Sequence, residues 1–534
     1  MSRASLIWIH TSDVHGALDN LKNIEDRVNE LRKTNSSANI ILTDGGDVLQ
    51  GSPVCHYYNY IAPNKKHLIA EAMNRMGYDC MAVGNHDIEA GHKVFDRVLS
   101  RESMNFPALC ANISGEDGKP YFTPYHIIEK GGVRIAVIGL ITPETTHWLA
   151  PSQFSGMIFT DPVESARHWI KIVKEKADIV VGLFHIGWNE TEHIAETVQD
   201  FDLVLYGHDH HKGLHQVGKT LCVAPSSNAT SFVELNIDCK SKSIHAKLID
   251  TVSSSNPFYP PELEDEELFS WLTTPLTTLS NDIYESDSYF GPSAFMSLIH
   301  RLQLSATHAE LSLAAPISYD SVIKKGTFTN KELFKLYNRD SQLYTLRLNS
   351  HEIKGILEYS YSLWVNTMKS KDDHALLLDY ILDGGKTDAR SKRIAKKLAY
   401  LLCLARRMKH DSAILAIKHF TINFLSLTGL DYTVDLTKPI GERINIQAEG
   451  EYTVAINSYH ANGGGNVLTK GAGLSYDELQ KRVIKIEPYD LRQCLAMEIK
   501  KHKSITPSLI TNWKFIPEDL CREALRRDKE LLFP

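Results

Sequence analysis

The sequence predicts a two-domain α/β protein, on three observations: its length, the alternation of short apolar runs with helical patterns over the first half, and a composition break near residue 250. The chain has 534 residues, more than one ordinary core holds, since domains commonly run to about 100 to 200 residues. The expected organisation is a first domain over 1–255, a partly helical linker over 256–292, and a second, mixed α/β domain over 293–534.

In the first domain, Leu6 to His10, Ile40 to Thr43, Cys80 to Val83, Ile135 to Leu140, Ile179 to Phe184 and Leu203 to Tyr206 are short, continuous apolar runs. Runs of this kind suit strands buried on both faces. Most carry polar residues at their C-terminal edge, where a sheet holds side chains rigidly towards solvent or substrate. The linker follows from Ser253-Ser-Ser-Asn-Pro257, Pro260-Pro261 and the acidic stretch Glu262 to Glu267, which reads as a solvated helix start. The second half mixes helices and strands and ends in charged, helical-looking segments after Glu478. Lys386 to Lys409 is rich in Lys and Arg, with an apolar stripe at Leu398, Leu401 and Leu402, and predicts a docked amphipathic helix pair, with a membrane-surface or polyanion contact as the alternative.

Composition narrows the function classes. Hydrophobic residues make up 43% and charged residues 23%, the balance of a folded globular chain. A net charge of −7 gives no basis for binding duplex nucleic acid. The eight cysteines form no CxxC pair, which argues against structural zinc, and Cys80, Cys110 and Cys222 sit in apolar runs as buried thiols. No run of about 18 apolar residues suggests a membrane span. The first apolar strand starts at Leu6, leaving no space for a signal peptide, so a cytoplasmic location is expected. A periplasmic or extracellular protein with its signal removed would read the same. Nothing in the sequence reports the oligomeric state.

Five segments carry the chemistry: Asp13-Val-His15, Gly46-Asp47, Gly84-Asn85-His86-Asp87, Phe184-His185 and Gly207-His208-Asp209-His210. Singly each is weak, because Asp and His often cap turns. Together they place carboxylate, amide and imidazole groups after successive buried strands, the ligand types that divalent cations take.

In this order the segments resemble the calcineurin-like metallophosphoesterase superfamily. Gly46-Asp-Val-Leu-Gln-Gly-Ser-Pro53 and Asn457-Ser-Tyr-His-Ala-Asn-Gly-Gly-Gly465 extend the resemblance to its 5′-nucleotidase and 2′,3′-cyclic-nucleotide 2′-phosphodiesterase family, over nearly the whole chain. The resemblance implies a four-layer αββα sandwich followed by a nucleotide-binding domain. It implies two divalent ions (Mn, Zn, Fe or Co), one held by Asp13, His15 and His210, the other by Asn85, His185 and His208, with Asp47 bridging both. Such a pair activates hydroxide and offsets charge on phosphate oxygens. His86 then becomes the expected general acid, oriented by Glu89 or, alternatively, by Asp87.

The same resemblance makes Phe424 and Tyr459 an expected pair of base-stacking rings, with Asn457, Asn462 and Gly463 as further substrate contacts. Two departures bear on the substrate: Leu313-Ala-Ala-Pro-Ile-Ser318 lacks the arginine familiar in 5′-nucleotidases, and Gly465 stands where an acidic residue is familiar. Ala315-Pro316, Leu336-Tyr337-Asn338 and Asp431 to Pro439 look more like the cyclic-phosphodiesterase and 3′-nucleotidase group. The expected partner is therefore a small-molecule nucleotide, a 2′,3′-cyclic or 3′-nucleotide, with 5′-nucleotidase activity as the alternative. A non-catalytic nucleotide-binding protein and a protein phosphatase are the weaker alternatives, the first opposed by the complete ligand set.

Overall fold

The structure, a computed structural model, describes residues 5–35, 39–210, 212–241, 243–252, 265–382, 413–419 and 421–533. Two compact units cover 1–272 and 273–534. The basic segment Lys386 to Lys409 and residues 253–264, which include the start of the expected linker, lie outside the described residues.

The first unit contains two six-stranded sheets. One runs in the order Ser243–Asp250, Ser231–Asp238, Ser5–Thr11, Ile40–Asp44, Cys80–Ala82, Ala108–Leu109. The other runs Gly213–Val217, Thr220–Ala224, Leu203–Tyr206, Ile179–His185, Val133–Ile141, Tyr125–Lys130. Alternation along the strands stacks the layers. Leu6, Trp8 and Ile41 of the first sheet share a core with Val137, Val181 and Leu205 of the second. The next residues along, Ile9 and Leu42, turn to the opposite face and meet Leu21, Ile24 and Val28 of helix Leu18–Thr34. On the outer face of the second sheet, Ile138, Leu140 and Val204 meet Ile170 of helix Pro162–Val173 and Ile194 of helix Trp188–Thr197. The result is the four-layer helix–sheet–sheet–helix sandwich. It explains why the central strands read as continuous apolar runs: Ile40–Asp44, Ile179–His185 and Leu203–Tyr206 are buried along their whole length. Cys80, Cys110 and Cys222 are buried free thiols within it.

Ser5–Thr11, Ile40–Asp44 and Cys80–Ala82 pair in parallel, as do Ile179–His185 and Leu203–Tyr206. Parallel pairing brings the C-terminal ends of the strands in each sheet to one edge, which is how segments far apart in sequence come together.

The second unit is built on a five-stranded sheet in the order Ser426–Thr428, Leu311–Ala314, Glu451–Asn457, Gln342–Asn349, Val483–Asp490. One face buries Ile299 and Leu302 of helix Ala294–Thr307. The other buries Ile353, Ile356 and Leu357 of helix Ser350–Trp364. That helix starts at a capping box, with the Asn349 side chain accepting from Glu352 N–H and Glu352 accepting from Asn349 N–H. The stretch after Glu478 departs from the helical expectation. It contributes strand Val483–Asp490 and strand Trp513–Ile516 as well as helices Leu491–Lys500 and Glu518–Leu532. Pairing with Gln342–Asn349 overrides the charged composition of the first, and alternate burial of Trp513 and Phe515 fixes the second. Among the described residues no helix is long and apolar enough to cross a membrane.

Candidate metal centre

All seven expected metal ligands gather at the strand ends of the first unit. Ligand atoms of Asp13, His15, Asp47 and His210 lie within 4.8 Å of one another, and so do those of Asp47, His185 and His208. Asp47 belongs to both groups. Asn85 joins the second, its Oδ1 3.0 Å from His185 Nε2 and 3.0 Å from His208 Nδ1. His210 Nε2 stands 3.1 Å from His15 Nε2 and 3.5 Å from Asp13 Oδ1. The oxygen and imidazole donors fit a pair of divalent cations of the Mn, Zn, Fe or Co type.

The backbone prepares these donors. His15 Nδ1 donates to the Gln50 carbonyl at 2.9 Å and His185 Nδ1 to the Gly45 carbonyl at 2.8 Å, which leaves each Nε2 as the ligating nitrogen. Ser12 Oγ donates to Asp13 Oδ2 at 2.5 Å. Five of the seven ligands have left-handed backbone: Asp13 (φ 51°), His15 (49°), Asp47 (59°), His208 (82°) and His210 (61°). Side chains rarely adopt this region, so the surrounding fold must impose it.

Electrostatics follow the same geometry. Burial alone disfavours a charged His185, yet the Asp47 carboxylate 3.1 Å away outweighs it and raises the His185 pKa to about 10. Burial and the neighbouring His185 charge push His208 down to about 3. Without metal, His185 is thus protonated below about pH 10. An incoming cation must displace that proton, so metal affinity should rise by up to about tenfold per pH unit through this range. Calorimetric titration of Mn²⁺ into metal-free protein, in buffers of different ionisation enthalpy, should show close to one proton released at pH 8. A pH-independent affinity would contradict this account.

His86 sits beside the cluster: its backbone N–H donates to Asp47 Oδ1 at 2.8 Å, and its Nδ1 lies 2.5 Å from Glu89 Oε2. Asp87, the competing partner, is committed elsewhere. Its carboxylate accepts from the backbone N–H groups of Asp47, Val48, Leu49 and Gly84 at 2.9 to 3.0 Å. It clamps the loop that presents Asp47.

The second unit does not assemble the expected base-stacking pair. Phe424 is fully buried, with its ring stacked on Trp364 at 5.4 Å and 5° and against the edge of Tyr289. It is a core ring, closed to a ligand. Tyr459 is half-buried and lies edge-on to His460. Asn457 caps helix Ser458–Ala461 through Oδ1 and donates to Tyr337 through Nδ2, so both its amide ends are used locally. Asn462 is buried and accepts from Gln480 at 3.4 Å. Gly463, at φ 108°, turns the chain where a Cβ would lie 2.6 Å from the Tyr476 ring.

Two arrangements, one in each unit, were not foreseeable from the sequence. Trp148 stacks on His208 at 5.2 Å and 12°, a contact between segments about sixty positions apart with no local signature. Tyr319 is 37% exposed and left-handed (φ 73°), held in a turn whose N–H groups at Ser318 and Ser321 donate to the buried Glu285 carboxylate.

Comparison with known proteins agrees with this geometry. Residues 8–212 match the calcineurin-like phosphoesterase family and residues 273–470 the 5′-nucleotidase C-terminal domain family. The chain is 30% identical over 240 residues to the trifunctional nucleotide phosphoesterase protein YfkN of Bacillus subtilis, an alignment covering 38% of the chain but only 16% of that protein. It is 22% identical to the 2′,3′-cyclic-nucleotide 2′-phosphodiesterase/3′-nucleotidase of Haemophilus influenzae, over 97% of the chain and 88% of that protein. In fold it is similar to the crystal structure of a putative 5′-nucleotidase from Staphylococcus aureus, with a TM-score of 0.73 at 20% identity, covering 96% of the chain and 100% of that structure.

Proposed function

Because the chain belongs to the calcineurin-like phosphoesterases that carry a 5′-nucleotidase C-terminal domain, we propose that it is a dinuclear hydrolase of nucleotide phosphate esters, acting on 2′,3′-cyclic and 3′-nucleotides. One observation carries the reading: a single carboxylate, Asp47, belongs to both ligand groups. Asp13, His15 and His210 would hold one divalent ion and Asn85, His185 and His208 the other. When bound, such a pair lowers the pKa of water and neutralises charge on the phosphate oxygens.

The chain's own residues supply the rest. Asp47 is fixed in place by the His86 N–H at its Oδ1 and by Asp87 beneath its backbone. Glu89 holds His86 Nδ1 and so leaves Nε2 as the nitrogen that carries a proton to the leaving oxygen. On the second unit, Tyr459 and Gly463 remain the proposed nucleoside contacts, and Phe424 is withdrawn from that role by Trp364.

Preference for cyclic and 3′ esters is supported by Gly465. A Cβ there would lie 2.0 Å from Asn423 Oδ1, so this turn has no room for an acidic side chain unless Asn423 moves. The resemblance of 97% of the chain to the Haemophilus protein, at 22% identity, supports the same reading. With Mn²⁺ present, initial rates on 2′,3′-cyclic AMP and 3′-AMP should exceed that on 5′-AMP by about tenfold or more, a difference of roughly 1.4 kcal/mol in transition-state binding. A preference for 5′-AMP would replace this substrate assignment with 5′-nucleotidase activity.

A further inference from the structure

An imidazole that ligates a metal needs a second contact to fix its ring, because the metal bond alone leaves the ring free to tilt. His15 and His185 find theirs in the backbone, Nδ1 of each donating to a carbonyl, that of Gln50 and that of Gly45. His208 is built differently. Its Nδ1 faces Asn85 Oδ1 at 3.0 Å, on the side of the ligand group, and its Nε2 has no hydrogen-bond partner among the described residues. The backbone of His208 is fixed, with φ at 82° and its N–H donated to the Asp13 carboxylate. Beyond that backbone, other rings brace the half-buried imidazole. The edge of His185 meets it at 5.1 Å and 70°, and the indole of Trp148 lies flat on it at 5.2 Å and 12°.

Trp148 is itself held firmly. It ends the short helix Thr145–Trp148, in a segment tied to the site on both sides. Before the helix, Thr142 N–H donates to the His185 carbonyl at 3.1 Å; after it, Gln153 Nε2 donates to the Glu89 carbonyl at 2.6 Å. Thr145 Oγ1 closes the first turn on the Thr142 carbonyl at 2.8 Å, and the next two residues, Leu149 and Ala150, are buried. The indole therefore cannot drift without disturbing contacts to two other elements of the site.

Offset parallel rings attract each other and resist tilting, and the contact uses no lone pair of the imidazole. We infer that Trp148 is a positioning residue for the ion of Asn85, His185 and His208: its ring does for His208 what a carbonyl does for His15 and His185, keeping Nδ1 turned towards Asn85. The inference rests on the metal pair proposed above. It makes the two sites unequal, since the ion of Asp13, His15 and His210 does not depend on the orientation of His208. Loss of the indole should weaken one ion and spare the other.

Trp148→Leu and Trp148→Phe test this in the full chain. Both keep a large apolar side chain, and only phenylalanine can stack. Calorimetric titration of Mn²⁺ into metal-free wild-type protein should show two binding steps, and His208→Ala identifies the relevant one by losing it. In Trp148→Leu that step should weaken by roughly three- to tenfold, while the other stays within about twofold. Trp148→Phe should recover at least half of the wild-type affinity. Co²⁺ supplies a second readout, because its visible absorption reports ligand geometry and not the stability of the fold. The band that grows in at the same step should shift or lose intensity in Trp148→Leu and keep its wild-type form in Trp148→Phe. Wild-type affinity in Trp148→Leu, or equal weakening in both variants, overturns the inference and leaves the metal pair standing. Wild-type protein that binds fewer than two ions overturns both.

Discussion

Asp47→Asn is expected to remove one or both metal ions and to lower kcat/KM by on the order of 10³-fold or more. The substitution keeps the shape of the side chain and cancels its charge, so the fold should survive while both ligand groups lose their common member. A second signature accompanies the first. Asp47 is the charge that raises His185 to about 10; without it, burial prevails and the histidine pKa falls below its ordinary value. Residual metal binding in the variant should therefore lose its steep dependence on pH. Metal analysis by mass spectrometry together with steady-state kinetics checks both statements. A variant that retains both ions and more than a tenth of the wild-type rate would remove Asp47 from the bridging position.

His86→Ala should separate chemistry from metal binding. The ring of His86 belongs to neither ligand group; it lies edge-on to His15 at 5.5 Å, and the backbone N–H that bonds Asp47 is retained by alanine. Metal content should stay at the wild-type value while kcat drops by about 10² to 10⁴, the range associated with loss of a positioned proton donor. Glu89→Gln tests how that donor is oriented. The amide can still contact Nδ1 but carries no charge to favour a protonated ring, so a smaller loss, near tenfold, should come with a shift of the alkaline-side pH–rate limb to lower pH. If His86→Ala also empties the metal sites, the proton-donor role is wrong and His86 supports the centre structurally.

The metal centre was legible in the sequence because its chemistry is local. Asp13, Asp47, Asn85, His185 and His208 each follow an apolar run within a few residues, and parallel pairing does the assembling. The four layers could be anticipated for the same reason, since strands buried on both faces leave unbroken hydrophobic runs. Contacts made across the chain were not legible. Nothing in Asn423-Phe-Leu-Ser reveals that the Phe424 ring lies flat on Trp364, sixty positions earlier. Whether Glu89 or Asp87 serves His86 was open in sequence, where both are acids close by. It is answered by backbone geometry, which gives Asp87 four N–H donors and turns Glu89 towards the imidazole. The strands Val483–Asp490 and Trp513–Ile516 were missed because they are short and flanked by charged helical segments, although their own β-branched and aromatic residues suit strands.

The left-handed backbone at Asp13, His15, Asp47, His208 and His210 has a consequence for how such a chain can change over time. A non-glycine residue in that region costs about 1 to 3 kcal/mol, and glycine would adopt the same turn freely. Selection for stability alone would drift these positions towards glycine and erase the ligands one by one. Their side chains persist against the thermodynamic preference of the turns that hold them, so the two sheets must supply surplus stability before the centre can exist. Metal binding and backbone stability therefore compete at the same five residues, and glycine there should relax the turn while deleting the ligand.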